Sequence, residues 1–112
     1  MMTGPGSPSV LCNMPVPIEQ HAEWIADCIA HMRQKGLTRI ETSEAAMDDW
    51  VEKVNATADA ILLSRAKHSW YYGANIPGKP QVFMPYAGGM ARYKRICDEV
   101  VARNYEGFVL GD

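Results

Sequence analysis

The chain has 112 residues, enough for one domain and too few for two. Its 47% hydrophobic and 21% charged content is ordinary globular composition, and a net charge of −2 leaves no basic footprint for nucleic acid. Three widely spaced cysteines (Cys12, Cys28 and Cys97) suggest neither a disulfide framework nor a zinc knuckle and suit a reducing cytoplasm. No leader pattern or membrane-length apolar run is visible, so no membrane is expected either.

The opening Met1-Met-Thr-Gly-Pro-Gly-Ser-Pro8 is all turn formers after the methionines. Pro15 and Pro17 mark the approach to a helix, because proline suits a first turn. Ile18, Ala22, Ile25, Ile29 and Met32 then repeat at helical spacing, predicting an amphipathic helix from Ile18 to about Lys35, with Trp24 and Cys28 widening the stripe. Glu19 in its first turn and Arg33 and Lys35 in its last would complement the dipole, and Gly36 is placed to stop it. Leu37 to Thr42 reads as a short strand, and Thr42 or Ser43 can cap a second helix running to about Leu63 on Met47, Trp50, Val51, Val54, Ala58 and Ile61. The acidic cluster Glu41, Glu44, Asp48, Asp49 and Glu52 suits a solvated face near that helix start.

Ser64 to Pro80 is a loop of unusual make-up. Gln81 to Tyr86 reads as a short apolar strand. Met90, Tyr93, Ile96, Cys97, Val100 and Val101 mark a third helix ending near Asn104, and Gly107 to Leu110 reads as a final buried strand. The fold class is therefore α+β and helix-dominated: three amphipathic helices with a few short strands. The strands are too few and too short for a complete sheet, and at least two would suit a sheet that starts elsewhere.

Few residues suggest chemistry. Cys28 and His31 share a helix face, but two ligands without partners make a poor metal site, so no metal is expected. No nucleophile elbow, dinucleotide fingerprint or phosphate-binding P-loop occurs. The helix near Pro17 would present unpaired backbone N–H groups at its N-terminus, an end that favours negative charge. The strongest feature is Trp70-Tyr-Tyr-Gly-Ala-Asn-Ile-Pro-Gly-Lys-Pro80, which packs aromatics, glycines and prolines into a shaped loop displaying Trp70, Asn75 and Lys79. Trp70 can stack on a ring and Lys79 can meet a phosphate. The same composition suits a rigid connector whose aromatics fill a core, and composition does not choose between the two.

Four stretches together resemble the C-terminal part of Baeyer–Villiger monooxygenases of the phenylacetone and cyclohexanone monooxygenase type. They are Thr3-Gly-Pro-Gly-Ser-Pro-Ser-Val-Leu11, Ile18-Glu-Gln-His21, Trp70-Tyr-x-Gly-Ala-Asn-Ile-Pro-Gly-Lys-Pro80, and Ile96-Cys-Asp-Glu-Val100 with Tyr105-Glu-Gly-Phe108. The resemblance spans Thr3 to about Leu110. It implies the C-terminal piece of a fold with two dinucleotide-binding domains, using FAD and NADPH to insert an oxygen atom of O₂ beside a ketone carbonyl and give an ester or lactone. It implies a single incomplete segment over 1–112, the C-terminal part of the FAD domain, with 64–80 as a mobile cofactor loop.

By the same resemblance, Met14 meets the flavin, Ser9, Val10 and Leu11 line the substrate pocket, and Trp70 contacts NADP. Lys79 lies in the NADP loop without an assigned contact. Gln81 stands where close relatives tend to carry arginine. No catalytic residue falls within the chain. The dinucleotide fingerprints would lie in a missing N-terminal FAD- and NADP-binding part, so the chain alone is expected to be inactive. A stand-alone helical binding module and the complementing half of a split flavoenzyme are the alternatives.

Overall fold

The structure is a computed structural model that describes residues 3–8, 12–61 and 70–112, with only the backbone of Trp70. Helix α1 runs from Pro15 to Gln34, strand β1 from Arg39 to Thr42 and helix α2 from Glu44 to Asp59. A 3₁₀ turn spans Trp70–Tyr72, helix α3 runs from Met90 to Ala102 and strand β2 from Phe108 to Gly111. The helix-dominated expectation holds. No helix among the described residues is long and apolar enough to cross a membrane.

Local chemistry accounts for most boundaries. Pro15 and Pro17 occupy the first turn of α1, where their missing N–H groups interrupt nothing. The helix therefore starts three residues before Ile18, and Glu19 falls outside its first turn. Past its end the chain reverses through Gly36 at φ +67°, a conformation glycine enters freely. Ser43 caps α2 by accepting from the Ala46 N–H at 3.3 Å. That helix closes at Asp59, short of the expected Leu63, which lies outside the described residues. The acidic cluster is exposed, and Asp49 pairs with Lys53 at 2.6 Å on the surface of α2.

The two strands pair with each other rather than waiting for a sheet elsewhere. β1 and β2 are antiparallel, with Ile40 opposite Leu110 and Thr42 opposite Phe108. The last strand is not buried as expected: Val109 is 61% exposed, while Ile40, Phe108 and Leu110 turn inward. The expected strand at 81–86 is also absent. Pro80 and Pro85 lack ladder donors, and the segment is extended coil whose only described backbone bonds reach the N-terminal loop: Met84 O accepts from the Gly6 N–H at 2.8 Å and the Tyr86 N–H donates to Ser7 O at 2.9 Å.

Two clusters hold the fold. In one, Cys28, Met32 and Tyr105 are buried, with Trp24, Leu37, Ile40, Phe108 and Leu110 packed around them. Trp24 meets Tyr105 edge-on at 5.5 Å and donates its indole N–H to Cys97 O at 3.4 Å, tying α1 to α3. In the other, Tyr86 is fully buried, stacks on Trp50 at 5.3 Å and meets Tyr93 at 5.7 Å, joining α2 and α3 to the coil.

Of the aliphatic stripe of α1, only Met32 is fully buried. Pro17, His21, Cys28 and Met32 are buried and Trp24 is half-buried, whereas Ile18 and Ile29 are each 45% exposed. At 100° per residue the inward set lies roughly 85° around the helix from the Ile18–Ala22–Ile25–Ile29 stripe. The helix thus turns a mixed polar-aromatic face inward and leaves aliphatic surface outward.

Candidate functional site

The Gly-Pro-Gly-Ser-Pro loop is pinned at several points. Ser7, buried, donates its hydroxyl to Gly4 O at 2.6 Å, closing a tight turn. Gly6 has φ +79° and lies so close to Trp50 that a Cβ there would sit 2.9 Å from the indole nitrogen. Cys12 donates its thiol to Pro8 O at 2.9 Å.

His21 clamps this loop from below. Its Nδ1 lies 3.1 Å from Thr3 Oγ1 and its Nε2 lies 3.1 Å from Tyr93 Oη, joining the loop, α1 and α3. Both hydroxyls can donate or accept, so either tautomer of the neutral ring is satisfied. Burial holds the imidazole below its ordinary range and pushes the Tyr93 phenol up, so both groups stay uncharged near neutral pH. Sequence reasoning missed this clamp. His21 stands in one of the quoted motifs, but its partners lie 18 and 72 residues away.

Met14, expected at the flavin, is the N-cap of α1 and is 38% exposed. The donors expected beside it are largely absent. Pro15 and Pro17 have no N–H, the Val16 N–H donates to Asn13 O at 3.1 Å and the Ile18 N–H to Met14 O at 3.3 Å. This end therefore keeps the positive pole of the helix dipole but lacks the cradle of free N–H groups that would grip a diphosphate. What it fits is the cover of a flat ring, through an apolar thioether beside a positive pole.

Trp70 opens the 3₁₀ turn; its side chain, Ser9, Val10, Leu11 and residues 62–69 lie outside the described residues. Downstream, Tyr72, Gly73, Asn75, Ile76, Lys79, Pro80, Val82 and Met84 line an open groove of about 490 Å³. Lys79 is exposed at this groove. The Tyr72 hydroxyl is buried and has no hydrogen-bond partner among the described residues. Burial pushes its pKa up, with Asp59 adding to the shift, so it remains a protonated donor. A cation, a carboxamide and a spare hydroxyl around an apolar floor fit a ligand with an anionic group and a polar ring edge.

The structure ties the N-terminal loop to the segment that follows the Trp70–Pro80 motif. Met84, at the edge of that groove, accepts from Gly6, and Ser7 accepts from Tyr86 two residues on. Among the described residues no group of three histidine, cysteine or acidic side chains could hold a metal ion.

No family model matches the chain. It is 41% identical over 107 residues to the acetone monooxygenase (methyl acetate-forming) of Gordonia sp., across 95% of this chain and 20% of that protein. It is 37% identical over 109 residues to a Baeyer–Villiger monooxygenase of Pseudooceanicola batsensis, across 97% of this chain and 19% of that one.

The chain matches a part of a Baeyer–Villiger monooxygenase. Solved structures agree in three dimensions. An oxidised steroid monooxygenase bound to NADP superposes with a TM-score of 0.87 at 44% identity, over 99% of this chain and 20% of that one. The cyclohexanone monooxygenase of Rhodococcus sp. Phi1 bound to NADP⁺ gives 0.88 at 35% identity, over 96% of this chain and 20% of that one. The chain thus spans about a fifth of the length of these Baeyer–Villiger relatives.

Proposed function

We propose that this chain is the C-terminal part of an FAD- and NADPH-dependent Baeyer–Villiger monooxygenase. The complete enzyme would insert one oxygen atom of O₂ next to a ketone carbonyl, giving an ester or lactone. The observation that carries this reading is the likeness over almost the whole chain to monooxygenases of that type, in sequence and in fold. A reducing cytoplasm suits its three widely spaced cysteines.

When bound, the flavin and nicotinamide would supply the redox chemistry. The chain's own residues supply position. Met14 at the positive end of α1 would cover the flavin, and the dipole there favours negative charge on the facing ring edge. Trp70 would contact the NADP ribose, with Lys79 and the Tyr72 hydroxyl at the neighbouring groove. Ser9, Val10 and Leu11 would line the ketone pocket, set in place by the Gly-Pro-Gly-Ser-Pro loop that precedes them. The phosphate-gripping fingerprints would come from a separate N-terminal part.

The test is a chimera of the Gordonia sp. acetone monooxygenase in which this chain replaces the matching fifth. The isolated chain should be colourless and show no ketone-stimulated NADPH oxidation, and the chimera should be yellow and show it. Trp70→Ala in the chimera should raise KM for NADPH more than it changes flavin content. A yellow, active isolated chain would overturn the reading, as would a folded chimera that holds both coenzymes yet ignores every ketone offered.

A further inference from the structure

We propose that His21 is a positioning residue for the ketone pocket: through its two ring nitrogens it fixes the Gly-Pro-Gly-Ser-Pro loop and α3 against the flavin-facing end of α1. This deepens the proposed function and rests on it.

His21 is 6% exposed, and burying an imidazole costs free energy unless its nitrogens find partners. Both do, and the partners belong to different elements. Thr3 lies at the start of the N-terminal loop and Tyr93 near the start of α3. The Tyr93 hydroxyl is also bonded to the Cys97 thiol one turn further along α3. Its ring meets Trp50 at 5.8 Å, Tyr86 at 5.7 Å and the His21 ring edge-on at 5.4 Å. Tyr93 is therefore held in place, and His21 transfers that placement to the loop. A leucine at 21 would bury as well without orienting anything, because apolar contact is non-directional.

The clamp joins both sides of the segment assigned to the ketone. Met14 stands two turns before His21 on nearly the same side of α1, about 10 Å away along the axis. The backbone bonds of the loop lead elsewhere, from the Gly6 N–H to Met84 O and from the Tyr86 N–H to Ser7 O. They hold the loop to the coil, whereas His21 holds it to the helix that carries Met14. Pro8 and Cys12 are hydrogen-bonded to each other at 2.9 Å. Ser9, Val10 and Leu11 are joined covalently to both. A shift of the loop against α1 would thus reach the side chains that line the ketone pocket, where about 1 Å of misplacement is costly.

The experiment uses Thr3→Val in the Gordonia sp. chimera, which keeps the side-chain shape and removes the hydroxyl that faces Nδ1. KM for the ketone should rise about 3- to 10-fold, the range that one neutral hydrogen bond is worth. KM for NADPH and flavin content should each change less than about twofold. Thr3→Ser keeps the hydroxyl and should restore the ketone KM. Tyr93→Phe removes the other partner, keeps the ring, and should reproduce the rise. Ser43→Ala, a destabilising change at the start of α2, should leave both KM values alone. In the chain by itself, Thr3→Val should speed amide exchange at Gly6 and Ser7 at least about threefold and leave the amides of α3 unchanged.

An active chimera whose ketone KM ignores Thr3→Val, or is not restored by serine, would overturn the inference and leave the functional reading standing. Parallel rises in both KM values, or an equal rise with Ser43→Ala, would overturn it by making His21 a residue of stability alone. Loop amides that exchange no faster would overturn it whether or not the chimera folds. A folded chimera that holds both coenzymes and oxidises no ketone would sink the functional reading, and this inference with it.

Discussion

Replacing Gly6 by alanine tests how the N-terminal loop is held. The perturbation has two separable parts. At φ +79° a Cβ faces the left-handed penalty of about 1–2 kcal/mol. It would also stand 2.9 Å from the Trp50 indole nitrogen, and overpacking of this kind costs about 1–3 kcal/mol. The loop cannot slide away, because the Gly6 N–H is bonded to Met84 O at 2.8 Å and Ser7 O is bonded to Tyr86. The combined loss is about 2–5 kcal/mol, or roughly 8–20 °C in the thermal midpoint at about 4 °C per kcal/mol. Gly36 provides the control. It has φ +67° with nothing within 4 Å, so Gly36→Ala carries the backbone part alone, about 1–2 kcal/mol. Thermal unfolding followed by near-ultraviolet circular dichroism reads both variants through the Trp50–Tyr86–Tyr93 cluster. Trp50→Phe removes the indole edge and should relieve part of the Gly6→Ala loss, giving a measurable coupling. Equal losses at the two glycines, or no coupling to Trp50, would refute the reasoning.

Two further outcomes are expected. Burial lowers the His21 pKa below its ordinary value near 6.5, so the unfolded chain binds a proton that the folded chain refuses. Stability should therefore fall as pH drops through about 6.5 and level off above it, and His21→Gln should flatten that slope; thermal midpoints between pH 5 and 8 check this, with an unchanged slope counting against the buried clamp. Ser43→Ala removes the side-chain cap on α2 and should cost about 0.5–2 kcal/mol in urea unfolding, with Thr42→Ala as the silent neighbour.

Much of this protein is legible in the order of its residues, because the forces concerned act over a few positions. The three helices follow from apolar spacing, the start of α2 from Ser43 and the stop after α1 from Gly36. The family likeness follows from motifs that a reader can align without coordinates, and those motifs point to Met14 and the Trp70 loop. Tertiary structure decided the rest, since it depends on partners far apart in the chain. An aliphatic stripe alone suggested that Ile18, Ile25 and Ile29 face the core. The fold instead buries His21, because Thr3 and Tyr93 satisfy both ring nitrogens and remove the penalty for taking a polar ring out of water. Likewise β1 finds β2, which begins 66 residues after β1 ends, and Gln81–Tyr86 forms no strand because Pro85 within it and Pro80 before it leave gaps and its free groups turn to Gly6 and Ser7. Local sequence sets what each segment is. Which face it turns inward is set by whatever can pair its polar groups there.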